Sequence, residues 1–263
     1  MGQYSLVLAD EYRHLFDTLE VRGARAAEVD RLVDQALELK PRYGNIGAPL
    51  GVPWFFIAAV HLRESSFRVD RHLHNGDPLT GRTIQVPAGR PADGEPPYTF
   101  EHSASDALTM KKLHTVQDWS LPRLLYQLER YNGFGYRTRG LPSPYLWSFS
   151  HHYLRGKFVA DSKFDPAAVD KQCGTATLLR RLAERQEIQF ADEPPLDAQA
   201  IVVPFAINRP TAAAEIERAQ ALQHWLNTFS GVYLKVDGWP GTRTSNAFKV
   251  VTGSYLPGDL RLA

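Results

Sequence analysis

The sequence predicts a mainly α protein that contains a small β-hairpin and ends in a small helical module. Two observations favour this fold class. Apolar residues recur at helical spacing in several segments of the chain. One segment, 75–97, holds nine glycines or prolines in 23 positions, which excludes a helix there and leaves room for a hairpin.

The N-terminal part predicts two amphipathic helices within residues 10–39, where leucines recur at helical spacing. Pro41 and the run 44–49, which contains glycine and proline, are expected to end them. Pro53 then opens WFFIAAVHLRESSF, an apolar segment that is too long for a typical strand. Because proline suits the first turn of a helix, we expect a helix in this segment.

The segment 75–97 is where the hairpin is expected. Asn75-Gly76 is a dipeptide that typically begins a hairpin, and residues 83–86 (TIQV) are the strand candidate. Helical patterns then return in four segments, and the serine or aspartate that starts each one is expected to be an N-cap. These segments are 103–114, 120–131, 143–155 and 165–187.

The chain is expected to have four regions. Residues 1–45 form an N-terminal helical segment packed on the main body, and residues 46–187 form the main domain. Residues 188–211 carry four prolines together with apolar residues, so they predict a strap packed on a surface. Residues 212–263 form a compact unit that is small for independent folding.

Composition excludes several function classes. Thirty lysines and arginines stand against 29 aspartates and glutamates, so no global charge attracts nucleic acid, and no phosphate-binding glycine loop is present. The single cysteine, Cys173, cannot form an internal disulfide. No stretch approaches the roughly 20 apolar residues of a membrane span, and the N-terminus lacks the pattern of a secretion signal. We expect a monomer without cofactor or membrane insertion.

Glu64 is the most informative single residue. On a helix it shares a mainly apolar face with four neighbours, namely Ile57, Val60, His61 and Phe67. Loss of water around a carboxylate disfavours its charged form, and a carboxylic acid can therefore stay protonated near neutral pH and serve as a general acid. The alternative is a solvated glutamate on the rim of the helix.

Asp77 and Thr83 follow in the Gly/Pro-rich segment. Glycoside hydrolysis uses an acid together with a second carboxylate that positions water or stabilises positive charge. Asp77 lies 13 residues after Glu64, across a turn that can return the chain to the helix end. The alternative for Asp77 is ordinary turn chemistry in Asn-Gly-Asp-Pro.

Two motifs resemble a known family. HLRESSF (61–67) is similar to the Glu-Ser-Ser-Phe signature of soluble lytic transglycosylases and goose-type lysozymes, which belong to the lysozyme-like superfamily. YNGFG (131–135) resembles the Tyr-Asn-Ala-Gly segment that lines the cleft of those enzymes. The spacing from Glu64 to Asp77 is similar to that of goose-type lysozymes, and the spacing from Asp77 to Thr83 is similar to that of phage lysozymes.

The resemblance covers residues 50 to 187 and implies an α+β lysozyme-like fold for the domain 46–187. It implies cleavage of the peptidoglycan glycan strand between N-acetylmuramic acid and N-acetylglucosamine, with Glu64 as general acid. Asp77, with Thr83 near it, would place water or stabilise positive charge. The Gly-Leu-Met-Gln segment of transglycosylases is absent, so hydrolysis and transglycosylation both stay open.

Candidate substrate-binding residues lie around the two motifs. Nine aromatic residues fall within positions 126–158, and such rings stack on the apolar faces of sugars. Arg137 and Arg139 are candidates for meeting peptide-stem carboxylates, although a solvated pair is the simpler interpretation. The residues we expect to bind substrate are Ser65, Tyr131, Asn132, Tyr136 and Tyr145.

The C-terminal unit carries a second resemblance. LQxxLN (222–227) followed by VDGWPGxxT (236–244) is similar to the helical peptidoglycan-binding module of many wall hydrolases. The resemblance implies wall binding, with Thr242 or Thr244 as a helix cap. The wall-binding residues it implies are Asp237, Gly238, Trp239 and Gly241.

The sequence also fits three different functions. His72 with His74, and His151 with His152, are the tightest histidine clusters and suggest a zinc amidase, although no metal-ligand spacing supports a metal site. A non-catalytic wall-binding protein and a chitinase-like or chitosanase-like glycosidase are the second and third. For the muramidase interpretation, peptidoglycan is the expected partner. An enzyme of this kind, made in the cytoplasm without a signal peptide, would reach the wall or periplasm after release, as endolysins do, or by non-classical export.

Overall fold

The computed structural model describes residues 4–160, 163–191, 202–227, 229 and 232–262. The chain divides into two compact units, one formed by Tyr12–Asp192 and the other by Gln3–Glu11 together with Glu193–Ala263. Helices dominate, and one small antiparallel sheet accompanies them, so the mainly α class is confirmed.

Four helices make up the N-terminal part of the chain. They are α1 (Leu6–Asp17), α2 (Ala26–Glu38), α3 (Lys40–Gly47) and α4 (Trp54–Ser65). The prediction of two helices within 10–39 is confirmed, although α1 already starts at Leu6, and the second helix ends at Glu38, before Pro41 as expected. The expectation that residues 44–49 only end helices was wrong, because a new helix, α3, begins at Lys40 and continues to Gly47. Pro41 lies in the first turn of α3, where a missing backbone N–H leaves no bond unmade.

The middle of the chain contains four further helices and the sheet. The helices are α5 (Phe100–Met110), α6 (Leu121–Asn132), α7 (Pro144–Trp147) and α8 (Thr175–Glu184), and the strands are β1 (Lys157–Ala160) and β2 (Lys163–Asp165). The strands pair Phe158 with Phe164, with an irregularity before Ala160.

Two predicted helices are much shorter than expected. The helix at 143–155 ends at Trp147, and Phe149 takes a left-handed conformation soon after. The helix at 165–187 begins only at Thr175, because Asp165 belongs to β2 and its carboxylate accepts the N–H groups of Ala167 and Ala168 in a turn.

The residues predicted as N-caps do not make the expected capping hydrogen bonds. Ser103 lies inside α5, whose real N-cap is Thr99, and the Thr99 hydroxyl accepts the N–H of His102. Ser120 and Ser143 do occupy N-cap positions, but their side chains make no capping bond.

The predicted strand at 83–86 was also wrong. Ile84 and Val86 are 84% and 88% exposed, so no buried face pins a strand there. The Asn75-Gly76 turn does form, and a single bridge between Arg71 and Pro78 closes it. The only hairpin among the described residues is therefore β1–β2, which lies much further along the chain.

Helix α4 lies at the centre of the first unit. It is apolar on all sides, and such helices are stable only when surrounded by other elements. Residues 55–62 are buried, and α4 packs against α3, α6 and α8. Helix α2 in turn packs on α8.

The second unit is built on α9 (Ala213–Asn227) and α10 (Thr242–Thr252). Of the predicted strap 188–211, residues 192–201 lie outside the described residues, whereas Val203 joins the core of this unit. That core also contains Ala219, Leu222, Leu226, Val232, Phe248 and Leu256. Gly241 occupies the N-cap of α10, so the prediction that Thr242 or Thr244 caps this helix was wrong.

Among the described residues, no single helix has the length and apolar composition of a membrane span. The segments Lys40–Leu50 and Trp54–Ser65 meet that test only as a pair, bent by 116°.

Candidate active site

Glu64 lies in the last turn of α4, where the helix ends abruptly. Ser66 and Phe67 both take left-handed conformations, with φ of 52° and 63°, and these turn the chain away from the helix axis. The buried side chain of His61 stabilises this turn at the end of α4 through two hydrogen bonds. Its Nε2–H donates to the carbonyl of Arg68 at 3.1 Å, which leaves Nδ1 to accept a hydrogen bond from the Tyr43 hydroxyl at 2.8 Å. Burial lowers the pKa of His61 to about 4, so it stays neutral.

The carboxyl group of Glu64 is protonatable near neutral pH. Burial raises its pKa to about 7. A hydrogen bond from the Tyr145 hydroxyl to Oε1, at 3.1 Å, and the charges of Arg63 and Lys111 act in the opposite direction but do not offset the loss of water. This agrees with the expectation of an uncharged carboxylic acid at this position.

Two buried tyrosines and a lysine surround this carboxyl group. The Tyr131 hydroxyl donates to the carbonyl of Leu73 at 2.9 Å, and burial raises the pKa of both Tyr131 and Tyr145 well above the usual value. Lys111 Nζ donates to the carbonyl of Tyr131 and lies 4.7 Å from the centre of its ring. Burial lowers the pKa of Lys111, although the nearby Glu64 raises it. No sequence pattern pointed to Lys111.

The Asn75-Gly76 turn lies directly against the end of α4. A Cβ at Gly76 would stand 2.5 Å from the carbonyl oxygen of Glu64, and φ there is +77°. Only glycine fits this close approach without strain. The turn therefore returns the chain to the helix end, as predicted, and places Asp77 one residue beyond the contact.

Asp77 organises the loop that follows. Its Oδ2 accepts the N–H groups of Ile84 at 2.8 Å and Gln85 at 3.0 Å, and the side-chain amide of Asn75 at 3.1 Å. Burial alone would raise the pKa of Asp77, but these hydrogen bonds lower it overall, so the group is a carboxylate. The turn chemistry foreseen as the alternative is present. All described bonds to this carboxylate fall on Oδ2.

Thr83 stabilises the same loop through hydrogen bonds. Its hydroxyl donates to the carbonyl of Pro87 and accepts the N–H of Arg90. Its bonding capacity is thus used inside the loop, which differs from the expected role beside Asp77.

The expected substrate-binding residues separate into two groups. Ser65 is buried and its hydroxyl faces the carbonyls of His61 and Arg68, so it supports the helix end. Tyr136 is also buried, and its hydroxyl accepts the N–H of Phe158 at 3.0 Å. Asn132, in contrast, is exposed, and it lines a cavity of about 380 Å³ together with Tyr136.

A buried ion pair lies beside the catalytic candidate. The side chain of Arg63 is 8% exposed, and its two terminal nitrogens donate hydrogen bonds to the carboxylate of Asp170, at 3.0 and 3.2 Å. Burial alone would raise the pKa of Asp170, but Arg63 lowers it overall. The Arg63 guanidinium carbon lies 5.1 Å from the centre of the Tyr145 ring. The two partners are 107 residues apart, and no sequence signal connected them.

The side chains of the first histidine cluster, His72 and His74, are engaged in hydrogen bonds. His72 bonds the Ser103 hydroxyl and the carbonyl of Gly81, both at 2.8 Å, and His74 bonds Asp106 at 2.8 Å. The described residues contain no group of three or more histidines, cysteines or acidic residues suited to a metal ion. Cys173 is buried, and burial raises its thiol pKa.

Arg137, a candidate for meeting peptide-stem carboxylates, has a structural ion pair instead. It pairs with buried Glu129 at 2.7 Å, and the Tyr12 hydroxyl donates to the same carboxylate. Arg139 lies over the rings of Phe158 and Phe164.

The second unit contains its own cavity, of about 430 Å³. Tyr233, 93% exposed, and Trp239, 41% exposed, line it together with Lys235 and Arg243. Trp239 was predicted from the sequence, whereas the other three residues were missed. Exposed aromatic rings beside cations are a common way to bind polar ligands.

The predicted Asp-Gly turn supports this cavity. Buried Gln223 accepts the N–H groups of Asp237 and Gly238 at 2.9 Å and donates to the carboxylate of Asp237. Gly238 has φ +73°, and a Cβ there would meet Ile216 at 2.5 Å. Asp237, Gly238 and the N-cap Gly241 thus shape the turn.

Comparison of the chain with protein-family models, with curated proteins and with solved structures returns no match.

Proposed function

We propose that this chain is a lysozyme-like enzyme that cleaves the glycan strand of peptidoglycan between N-acetylmuramic acid and N-acetylglucosamine. One observation carries the proposal: the carboxyl group of Glu64 has a pKa raised to about 7 by burial, at the end of a buried helix. A group of this kind is protonated often enough at neutral pH to donate to a glycosidic oxygen.

In the proposed mechanism Glu64 donates its proton to the leaving oxygen as the glycosidic bond breaks. The Tyr145 hydroxyl bonds Oε1, so Oε2 carries the transferred proton. After departure of the leaving sugar, the resulting carboxylate is stabilised by this bond and by the charges of Arg63 and Lys111, the same groups that hold its pKa from rising further.

Asp77 would supply the second carboxylate. Its three described hydrogen bonds hold Oδ2, so Oδ1 is the atom proposed to orient water or to stabilise positive charge on the sugar. Thr83 would contribute by fixing the loop that carries Asp77. Exposed Asn132 is the proposed contact for an N-acetyl group.

The product of a digest tests this proposal. Purified peptidoglycan incubated with the chain should release fragments cut between the two sugars, and mass spectrometry separates a reducing end from an internal anhydro ring. Fragments cut only in the peptide would point to an amidase, and intact glycan would contradict the proposal. Cleavage of chitin oligomers at the same rate would favour a chitinase-like enzyme.

The pH profile gives a prediction specific to Glu64. Because the protonated form is the active acid, kcat/KM should fall about tenfold per pH unit above pH 7. Tyr145→Phe removes a hydrogen bond that lowers the pKa of Glu64, so this falling limb should move to higher pH. Tyr98→Phe, which removes a hydroxyl bonded to Gly94 instead, is the control and should leave the limb in place. An unmoved limb in Tyr145→Phe would argue that another group sets the profile.

The cavity of the second unit would hold the chain on the wall. Tyr233→Ala should weaken retention on insoluble peptidoglycan by at least about fivefold, because an exposed ring would be lost from the binding surface. Cosedimentation measures this effect. Tyr255→Ala removes a ring that packs on Lys249 outside the cavity and serves as the control. Equal retention of the two variants would contradict wall binding at this cavity.

A further inference from the structure

The polar cavity beside Asn132 is lined by neither Glu64 nor Tyr145. Its volume of about 380 Å³ is in the range of small-ligand sites. The end of α4, the turn after α6, strand β1 and the loop before α8 form its walls. Its polar side chains include Arg63, Asn132, Lys157 and Asp170.

Lys157 brings surplus positive charge to this cavity. Asp170 is already neutralised by the two-pronged bond from Arg63, and it also accepts the N–H of Gln172 at 2.8 Å. Lys157 Nζ lies 3.1 Å from Oδ2 of the same carboxylate, so two cations share one anion. The side chain of Lys157 is 30% exposed and lines the cavity, and an ammonium group has three donors, of which the bond to Asp170 uses one.

The cavity lies close to the candidate acid. Arg63 precedes Glu64 on α4, and the Tyr145 ring lies between them: its centre is 5.1 Å from the guanidinium carbon and its hydroxyl is 3.1 Å from the Glu64 carboxyl. The candidate acid and the cavity wall therefore share Tyr145 as a neighbour, and the subsite requires that a substituent on a sugar bound at Glu64 extends past this ring.

We infer that this cavity is a subsite for a carboxylate on the peptide stem of N-acetylmuramic acid, and that Lys157 pairs with that carboxylate. The inference rests on the proposed glycan cleavage and adds a reason for preferring peptidoglycan to chitin. Chitin has the N-acetyl groups that Asn132 would bind but no carboxylate for Lys157.

The test compares two substrates and two variants of the full chain. The substrates are soluble glycan strands with intact peptide stems, and the same strands after their carboxylates have been converted to amides. Lys157→Gln should lower kcat/KM on the intact strands by about tenfold, the usual scale for a hydrogen bond to a charged group, and should change cleavage of the amidated strands little. Lys163→Gln removes an equal charge from an exposed position of the same hairpin and should match the unaltered chain on both substrates.

The possible results separate the subsite from the proposed function. If the unaltered chain cleaves intact and amidated strands equally well, the subsite is wrong while the proposed function stands, and this holds whether or not the variants fold. Equal losses in Lys157→Gln and Lys163→Gln would assign the effect to general surface charge and overturn the role of Lys157. If the unaltered chain cleaves neither substrate, the proposed function itself fails.

Discussion

Glu64→Gln is expected to lower kcat for glycan cleavage by about 10³-fold, within the range that general acid catalysis contributes. The glutamine amide keeps the shape of the side chain and can still accept the Tyr145 hydrogen bond, but it has no proton to give to a glycosidic oxygen. The measurement is the release of reducing or anhydro ends from soluble glycan strands at pH 6, where most of the parent Glu64 is protonated.

The matched control is Glu184→Gln, the same chemical change on an exposed turn of α8, where the carboxylate pairs with Arg180. This variant should retain activity within about twofold, since surface ion pairs contribute little to stability. Full activity of Glu64→Gln would remove Glu64 from the mechanism.

Stability provides a second readout of the same variant. The folded-state pKa of Glu64 is raised above the ordinary value of 4.5, so the folded chain binds this proton more tightly than the unfolded chain does. The free energy of unfolding of the parent therefore falls as pH rises from 4.5 to about 7. Glutamine does not titrate, so Glu64→Gln should be at least as stable as the parent at pH 8. Lost activity with retained stability is the pattern expected of a functional residue, because active sites sacrifice stability for function.

The parts of the fold that the sequence predicts well are local. Helix α4 is recognisable because apolar residues continue through three turns after Pro53, and Glu64 stands out as a carboxylate in that surrounding. The Asn75-Gly76 turn is recognisable because a left-handed conformation favours glycine. Each signal lies within a few residues of the structure that it predicts.

The parts that were missed depend on contacts between distant segments. Residues 83–86 have the composition of a strand, but only Thr83 makes backbone hydrogen bonds to the following segment, at Gly89 and Arg90, and Asp77 takes the N–H groups of Ile84 and Gln85 instead of a paired strand. Arg63 and Lys157 line the same charged cavity only because the segment that carries Asp170 folds back onto α4, where Asp170 contacts both side chains. Periodicity and motifs describe residues that are close in sequence, whereas Asp170 lies 107 residues after Arg63. They therefore carry no information about such pairings.

Asp170→Asn is expected to be the most destabilising of the substitutions considered for the first unit. It leaves the buried guanidinium of Arg63 without its anion, and breaking a buried ion pair on one side costs about 3–5 kcal/mol. Asp30→Asn is the matched control: it breaks the pair with Arg181, whose two side chains are both about one-third exposed, and should cost only about 0.2–1 kcal/mol. Urea-dependent hydrogen exchange of the α4 and α8 amides reports on the first unit without interference from the second. Equal losses in the two variants would contradict the importance of the buried pair.

The pH dependence of this difference separates the charge of Asp170 from its shape. The pKa of Asp170 is lowered overall: burial alone would raise it, but the bonds from Arg63, Gln172 and Lys157 outweigh burial. Its charge therefore stabilises the folded chain at pH values above the ordinary pKa of 3.8, and this contribution is lost as pH falls through the lowered value. Because asparagine does not titrate, the deficit of Asp170→Asn should be largest at neutral pH and should shrink below pH 3.8. A deficit that stays constant across this range would mean that hydrogen-bond geometry, and not charge, holds Arg63 beside Glu64.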